Sequence, residues 1–462
     1  MYLCIGSIFR NLRNIQRVPY LRFHGDGTAG EGRVQRTTEA RRIYFNGQQG
    51  SEILSKRKII NDPLYGFITL NPGLLSDLIE HPSFQRLRYI KQLGLTDLVY
   101  PGALHTRFQH ALGAMHLMVR VLEDLRTKAV EISPEEGVAA QVAVLLHDVG
   151  HGPFSHALEQ TLLPGMKHES LSYLFMKQLN GEYNGALDLA LRIFQNTYPR
   201  KFFHQLINSQ LDIDRLDYLK RDSFFTGVTE GSIGADRIIT LLRVVNDQLV
   251  VDEKGIYSIE SFLHARRLMY WQVYLHKTSV SAERLIVNII KRAQYLFLSG
   301  ENLSGSEPLK TFLKNKYTFD DFRDTPALVN AFGQLDDNDI WGAIKSWRSH
   351  GDPILSQLCE MLLTRNLFQI QLTTEPIKKN HIEKVRAGVV KTFHILRGDA
   401  SYLFSHGVVS NEGYVAEGQT INVLTKSGNV IDIAHASDLP SIKAISKIVK
   451  KNYLCWPKNV SL

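Results

Sequence analysis

The sequence predicts a mainly α-helical protein, with a helical core that carries one small hairpin and a smaller α+β portion after it. Apolar residues recur with a period near 3.6 over 108–129 and 135–149, which is typical of helices packed in a core. After about residue 375, apolar and polar residues alternate around a Lys-Ser-Gly-Asn turn, as in a β-hairpin. These observations together indicate the fold class.

Length and composition are those of a globular protein with a sizeable core. The chain has 462 residues, of which 44% are hydrophobic and 22% charged. Its three cysteines are isolated, which argues against a disulfide scaffold or a thiolate metal site and favours a reducing, cytoplasmic location. Apolar runs such as 142–146 are too short to span a bilayer, so no membrane partner is expected.

The net charge of +8 is unevenly distributed, because residues 1–50 contain eight arginines and three acidic residues. We therefore interpret 1–52 as a poorly ordered basic extension, and leave open whether it binds nucleic acid. The remaining predicted boundaries are a core at 53–300, a helical extension at 301–375 and an α+β portion at 376–462.

The elements follow in order from local patterns. Short patterns broken by Pro and Gly precede the two long helices. Further helices are predicted at 168–180, 186–196, 202–208, 257–298 and across 308–370, and a last one at 439–451. Hairpins are predicted at 248–258, with Glu-Lys-Gly at the tip, and at 413–435.

A candidate metal site begins where the helix predicted at 135–149 ends, since His147 and Asp148 are adjacent there. An imidazole nitrogen and a carboxylate oxygen are suitable ligands for a divalent metal. Neighbours in mid-helix point about 100° apart and rarely share a ligand. Gly150 and Gly152 let the backbone leave helical geometry, so the two side chains can converge.

Two other segments supply the same ligand types. His110 heads the helix at 108–129, and Asp214 lies in the acidic stretch at 209–222. Each of these residues alone is more often a core histidine or a solvated helix face. Three segments that each bring suitable donors favour a metal site, and without a sulfur ligand it suits Fe, Mn, Zn or Mg.

The order His110, His147-Asp148, Asp214 resembles the HD-domain metal-dependent phosphohydrolases. The motifs around these residues are similar to those of deoxynucleoside triphosphate (dNTP) triphosphohydrolases in that family, the sterile-alpha-motif/HD enzyme of animals and the bacterial dGTPases. They include His-x-Arg-Phe-x-His at 105–110, His-Asp-x-Gly-His-Gly-Pro-Phe-Ser-His at 147–156 and Asp-x-Asp-x-x-Asp-Tyr-x-x-Arg-Asp at 212–222. The resemblance covers roughly 57–300 and implies an all-helical HD core.

The resemblance also implies an activity, the hydrolysis of dNTPs to deoxynucleoside and triphosphate, which would control dNTP pools. His110, His147, Asp148 and Asp214 would hold the metal. His151, His156 and His168 would line the α-phosphate, with His156 as the general acid. Arg107 and Arg215 would bind the α- and β-phosphates, Arg266 the terminal phosphate, and Gln92, Leu93, Tyr218 and Asp222 the sugar.

The family further implies one transition metal (Fe, Mn or Zn) at the HD site, Mg with the substrate phosphates, and a homo-oligomer of two or more subunits. An activating nucleotide site is matched only in part. Glu80 stands where an Asp reads guanine, and Gln272 replaces an Arg. The residues that match it are Gln85, Arg88, Arg237, Lys254, His276 and Lys277, which could equally be ordinary surface or interface charge.

We expect no sterile-alpha-motif domain, since only about 50 residues precede the match. Two other functions remain open. The same site could serve a nucleotidase or phosphodiesterase acting on monophosphates, cyclic nucleotides or guanosine alarmones, although Arg266 favours a triphosphate. The chain could instead be a non-catalytic nucleotide sensor, against which the intact ligand set argues.

Overall fold

The chain is described by a computed structural model over residues 57–410, 420–439 and 449–462. The extension predicted at 1–52 and most of the helix predicted at 439–451 lie outside these residues. The end of that last prediction is wrong, because Lys450 and Lys451 begin a strand.

Helices make up most of the described chain, which confirms the predicted fold class. They are α1 (Leu74–Glu80), α2 (Pro82–Gln85), α3 (Arg107–Thr127), α4 (Pro134–Leu146), α5 (Ser155–Leu162), α6 (His168–Glu182), α7 (Asp188–Phe194), α8 (Lys201–Gln205), α9 (Ile213–Thr226), α10 (Ala235–Leu241), α11 (Ile256–Met269), α12 (Lys277–Leu298), α13 (Glu307–Lys314), α14 (Phe319–Asp324), α15 (Pro326–Phe332), α16 (Asp337–Trp347), α17 (Pro353–Leu363), α18 (Lys379–Phe393) and α19 (Ile433–Ala436). A π-helical turn, Tyr270–Tyr274, separates α11 from α12.

The two long helices predicted from periodicity, α3 and α4, are present within two or three residues of their expected ends. Local sequence starts them. Ser133 accepts a hydrogen bond from the Glu136 amide at 3.1 Å, and Glu136 accepts one from the Ser133 amide at 2.9 Å, which forms a capping box with Pro134 in the first turn. The buried faces of α3 and α4 join the core, so the ends that carry the candidate ligands are held firmly.

The strands form three small sheets. Their bounds are β1 (Lys58–Asp62), β2 (Gly66–Leu70), β3 (Leu242–Val245), β4 (Gln248–Asp252), β5 (Gln369–Thr373), β6 (Ser405–Ser410), β7 (Asn422–Leu424), β8 (Val430–Asp432) and β9 (Lys450–Trp456). The sheet orders are β1-β2, β3-β4-β7-β8 and β5-β9-β6. The β1-β2 hairpin was not predicted, and β5 begins where helix was expected.

The predicted hairpin at 248–258 is wrong in its position. The hairpin joins β3 to β4, and its turn is Asn246-Asp247, with φ of 51° and 56°. Two successive left-handed residues make the turn type that suits the twist of paired strands, and Asn and Asp tolerate that conformation. Glu253–Gly255 is instead a short 3-10 turn that leads into α11.

The hairpin predicted at 413–435 is confirmed in its described part, where β7 pairs antiparallel with β8. It extends the first hairpin, since Val251 of β4 pairs in parallel with Val423 of β7. Residues 55–462 form one compact unit, and the proposed boundaries at 300 and 375 within it stay predictions. None of the helices in the described ranges is long and apolar enough to cross a membrane.

Candidate metal centre and active-site cavity

Three of the predicted metal ligands converge from three helices. The Nε2 atom of His110 on α3 lies 3.0 Å from Oδ1 of Asp214 on α9. The Nε2 atom of His147, directly after α4, lies 3.5 Å from the same oxygen. One potential ligand atom from each residue lies within 4.8 Å of the others, a spacing that suits a shared metal ion.

The remaining nitrogens of both imidazoles are already engaged. Nδ1 of His110 donates to Asp217 at 2.8 Å, and Nδ1 of His147 donates to the Val144 carbonyl at 2.6 Å, since both oxygens can only accept. The two Nε2 atoms are buried and face the Asp214 carboxylate, at 3.0 Å and 3.5 Å from its Oδ1. These bonds at Nδ1 orient each ring so that Nε2 is available to a metal, and the residues therefore fit a divalent ion.

The charge state of the cluster follows from its burial and its neighbours. Burial alone would lower the pKa of both imidazoles. Hydrogen bonds to Asp214 and Asp217 outweigh it and raise the pKa of His110 to about 10, and the charges of Asp148 and Asp214 raise the pKa of His147. Without a metal, the His110 imidazole therefore holds a proton that a metal must displace.

We expect metal to bind the metal-free protein more tightly as the pH rises from about 6 to about 8. Linkage makes the affinity change about tenfold per pH unit for each proton that binding displaces. Titration calorimetry in two buffers of different ionisation enthalpy measures the affinity and the released protons together. An affinity that is flat over this range, with no proton released, would contradict a protonated His110 in the metal-free protein.

Asp148, the fourth predicted ligand, stands between the metal cluster and the neighbouring cavity. Its Oδ1 lies 3.3 Å from His147 Nε2 and 3.2 Å from His151 Nε2. Its Oδ2 accepts a 2.6 Å hydrogen bond from Arg107 and lies 3.8 Å from His110 Nε2. One carboxylate thus links the predicted metal ligands to a predicted phosphate-binding arginine.

A buried network that the sequence did not reveal supports His110 from behind. Asp217 receives hydrogen bonds from Nε and Nη2 of Arg221, and Arg221 also donates to Asp62 at the end of β1. Gly113 on α3 allows this approach, because a Cβ at this position would lie 2.1 Å from an Asp217 oxygen. The spacing of Asp217, three residues after Asp214, was the available signal for its role.

We expect Gly113→Ala to weaken metal binding, because the added methyl group must displace Asp217 or Arg221. Loss of such outer-shell support typically costs about 10–100-fold in metal affinity. Gly342→Ala in α16 is the control, since its Cβ meets nothing within 4 Å. Metal content after dialysis against a chelator series measures the difference, and equal retention by both variants would contradict the expected role of Gly113.

The turn after His147-Asp148 places the predicted catalytic histidines together. A Cβ on Gly150 would lie 2.2 Å from the Ser172 backbone nitrogen, so only glycine fits against α6. The His151 ring stacks on His168 at 3.8 Å, and the His156 ring lies edge-on to His151 at 5.5 Å. Burial, with the charges of Arg107 and His168, lowers the pKa of His156 to about 4.

A cavity of about 450 Å³ opens beside this cluster. Most predicted substrate residues line it. From the predicted set, its lining includes Gln92, Leu93, Arg107, Asp148, His151, His156, His168, Asp214, Arg215, Tyr218 and Asp222. The structure therefore brings the predicted phosphate and sugar residues to one concave surface next to the metal ligands.

Among the predicted substrate-binding residues, Arg266 does not line this cavity. It is buried, donates to Gln210 at 2.8 Å and lies 6.0 Å from the ring centre of Tyr270, which does line the cavity. Arg215 also carries a partner, because its guanidinium is paired with Asp212, the N-cap of α9. The guanidinium of Arg215 is therefore held toward the N-terminal end of α9.

The predicted sugar residue Asp222 is held by two groups that the sequence left unassigned. His105 Nε2 lies 2.7 Å from one carboxylate oxygen, and the Tyr274 hydroxyl donates to the other at 2.7 Å. His105 begins the His-x-Arg-Phe-x-His motif, which by itself assigned this histidine no role. Tyr274 carried no sequence signal, because only the π-helical turn before α12 brings it to Asp222.

The six predicted activator-site residues lie elsewhere. Arg88 donates to Gln85 at 2.7 Å, Arg237 lies on α10, Lys254 lies in the turn before α11, and His276 and Lys277 begin α12. None of the six is among the described residues that line the cavity. Their role in binding a second nucleotide stays a prediction.

Comparison with known proteins agrees with the geometry. The HD domain family matches residues 107–222, and the HD-associated region matches 233–308. The uncharacterised protein YwfO of Bacillus subtilis is 31% identical over 436 residues, covering 90% of this chain and 95% of that protein. A deoxynucleoside triphosphate triphosphohydrolase SAMHD1 homolog of Dictyostelium discoideum is 33% identical over 267 residues, 53% of this chain and 51% of its own.

A solved structure is similar over nearly the same extent. The crystal structure of a phosphohydrolase from Bacteroides thetaiotaomicron has a TM-score of 0.84 and 48% identity, and the match covers 87% of this chain and 100% of that one. The helical fold, the His and Asp cluster and these matches lead to one conclusion. The chain belongs to the HD-domain family of phosphohydrolases.

Proposed function

We propose that the protein hydrolyses deoxynucleoside triphosphates to deoxynucleoside and triphosphate, and so controls dNTP pools. The observation that carries this proposal is the composition of the cavity. Its phosphate end is formed by Arg107, Arg215 and the histidine turn, and its sugar end by Tyr218 and Asp222. The SAMHD1 relative named above, a dNTP triphosphohydrolase by name, supports it.

The phosphate end suits a polyanion. A triphosphate carries about four negative charges, which cationic donors in a partly dry cavity stabilise strongly. A divalent ion held by His110, His147, Asp148 and Asp214 would act there as a Lewis acid on a phosphoryl oxygen. The choice among Fe, Mn and Zn, and the use of Mg with the substrate, belong to this proposal.

The sugar end suits a deoxyribose. The carboxylate of Asp222 is fixed by His105 and Tyr274, and Gln92 has a buried amide oxygen with no hydrogen-bond partner in the described chain. Both are acceptors for a 3′-hydroxyl. The ring of Tyr218, edge-on to Tyr274 at 6.2 Å, would pack under C2′ and exclude a 2′-hydroxyl.

His156 supplies the proton for the leaving 5′-oxygen in this proposal. With the cavity free of phosphate, burial and Arg107 keep its imidazole neutral above about pH 4. A triphosphate bound to Arg107 would offset that positive charge and raise the pKa of His156. The substrate would thereby charge its own general acid.

Product analysis tests the proposal. Purified protein is incubated with each dNTP, with Mn or Mg, and with and without a second nucleotide. We expect inorganic triphosphate and the deoxynucleoside to appear in equal amounts. Release from none of the four dNTPs under any of these conditions would contradict the proposal, and a nucleotide that binds without hydrolysis would instead indicate a sensor.

The position of Arg266 favours a second candidate, a nucleotidase or phosphodiesterase on shorter phosphates. Arg266 lies behind Tyr270 and outside the cavity lining, so the contact with a terminal phosphate that favoured a triphosphate is not formed there. Nucleoside monophosphates, cyclic nucleotides and guanosine alarmones belong in the same assay. Release of orthophosphate from a monophosphate without triphosphate from any dNTP would establish this candidate.

A further inference from the structure

Asp337, the first residue of α16, lies outside both family matches in sequence. Its carboxylate contacts two walls of the cavity. Its side chain is buried, with only 4% of the residue exposed. Its Oδ1 accepts a hydrogen bond from the Phe154 amide at 3.0 Å, and its Oδ2 accepts one from the Lys91 amide at 3.0 Å. One carboxylate therefore holds two chain segments that are 63 residues apart.

Both segments carry predicted substrate or catalytic residues. Lys91 is followed directly by Gln92 and Leu93, and all three line the cavity. Phe154 lies two residues before His156, in the turn that also presents His151. The distance between the sugar wall and the histidine turn thus depends in part on what Asp337 binds.

Phe154 needs outside support to keep its backbone conformation. Its φ of 46° and ψ of 43° lie in the left-handed region, which is unfavourable for an aromatic residue. The backbone amide of Phe154 donates a hydrogen bond to Asp337 of α16. Its ring also packs edge-on to Trp341 of α16, with 5.7 Å between ring centres. The N-terminal end of α16 therefore stabilises this strained residue through both its backbone and its ring.

The segment that leads from α15 into α16, residues 332–336, is held against the same turn by other contacts. Buried Arg86 donates to the Leu335 carbonyl at 2.9 Å and to the Val149 carbonyl at 2.7 Å. A Cβ on Gly152 would lie 2.7 Å from the Phe332 ring. These contacts hold residues 332–336 in place, and so fix the position of the Asp337 carboxylate that follows them.

Asp337 can serve as a double acceptor at neutral pH. Burial raises its pKa to about 6, against the two amide hydrogen bonds, which lower it. The carboxylate is thus mainly ionised near pH 7.5. Both of its oxygens then accept, as the two amides require.

We propose that Asp337 is a positioning residue that sets the spacing between the Lys91–Leu93 wall and the histidine turn. It is not among the described residues that line the cavity, and it acts through the Lys91 and Phe154 amides. Its effect on turnover rests on the function proposed above. Its effect on the two segments does not, so the two ideas can be tested apart.

Amide hydrogen exchange of Asp337→Asn tests the placement without any substrate. The amide group can accept at only one of its two positions, so one backbone N–H faces a donor. We expect exchange about tenfold faster in peptides covering 89–96 or 148–158, and unchanged exchange in α12. Asp336→Asn is the matched control: it makes the same charge change one residue earlier and keeps its cap bond to Asn338, since Asn caps helices as well as Asp does.

Turnover and metal content complete the test. If the wild type hydrolyses dNTPs, Asp337→Asn should lower kcat by about 10–100-fold, because small misplacements of catalytic groups have effects of that size. The metal content and the activity of Asp336→Asn should stay at the wild-type level. If the wild type hydrolyses nothing, the proposed function fails, and exchange still decides the role of Asp337.

Three outcomes would overturn the proposal. The first is that Asp337→Asn exchanges at the wild-type rate in both peptides, 89–96 and 148–158. The second is an equal increase of the exchange rate across all peptides, which would mean a general loss of stability. If Asp337→Asn does not fold, Asp337→Glu replaces it, because this variant keeps the charge but moves the carboxylate by one methylene. It should show the same local increase of the exchange rate. The third outcome is that neither variant folds, which would make Asp337 a residue of the fold alone.

Discussion

Asp148→Ala should leave the protein without bound metal and with hydrolysis reduced by about 10³-fold. The carboxylate is shared by His147, His151 and Arg107, so its removal takes away a predicted ligand and the partner of a buried arginine. A metal ion contributes several kcal/mol to the stabilisation of a phosphoryl transition state, and about 4 kcal/mol corresponds to this factor. Elemental analysis and product release on the same preparations measure both losses.

Two further variants separate the loss of metal from a loss of folding. Asp148→Asn keeps an oxygen that accepts from Arg107, which avoids an unpaired buried cation, yet it removes the negative charge. Asp222→Asn alters the sugar end and should retain the metal. If Asp148→Ala kept one metal per chain and wild-type turnover, Asp148 would not be a ligand.

His156→Gln should lower kcat by about 10²–10⁴-fold while the metal content stays unchanged, because proton transfer by a positioned side chain contributes that much. The imidazole of His156 lies within 3.5 Å of Arg107, which the substrate phosphates would neutralise. Steady-state kinetics with a dNTP, alongside metal analysis, gives the measurement.

The pH profile makes this prediction specific to proton donation. The free protein keeps His156 neutral above about pH 4. An acid that substrate has charged loses its proton as pH rises, so wild-type kcat should fall on the alkaline side of its optimum. His156→Gln should lack that fall. An alkaline limb of equal slope in both proteins would assign the proton to another group.

The fold class and the family could be read from the sequence because their signals are local. Helical periodicity placed α3 and α4 within two or three residues, since each buries one continuous apolar face. The hairpin predicted at 248–258 was wrong in position, because the chain turns at Asn246-Asp247, ahead of that span. The β1-β2 hairpin was not predicted, because its two strands have only five residues each and lie among Pro and Gly.

The residue types of the candidate site were also readable, but their grouping was not. The sequence predicts four metal ligands. The structure brings His110, His147 and Asp214 together, and Asp148 lies 3.3 Å from His147 while it also contacts Arg107 and His151. Whether all four bind one metal stays a prediction. The position of Arg266 behind Tyr270 could not be foreseen, because it depends on how α11 packs.

The sequence by itself determined which chemical groups this protein has, and which helices and helix ends they lie in or next to. Only the tertiary structure decided what orients them: Asp217 behind His110, His105 and Tyr274 on Asp222, and Asp337 between two cavity walls. The physical reason is that these bonds join segments 52 to 246 residues apart. Contacts at such separations are set by the packing of whole helices, on which a local pattern carries no information.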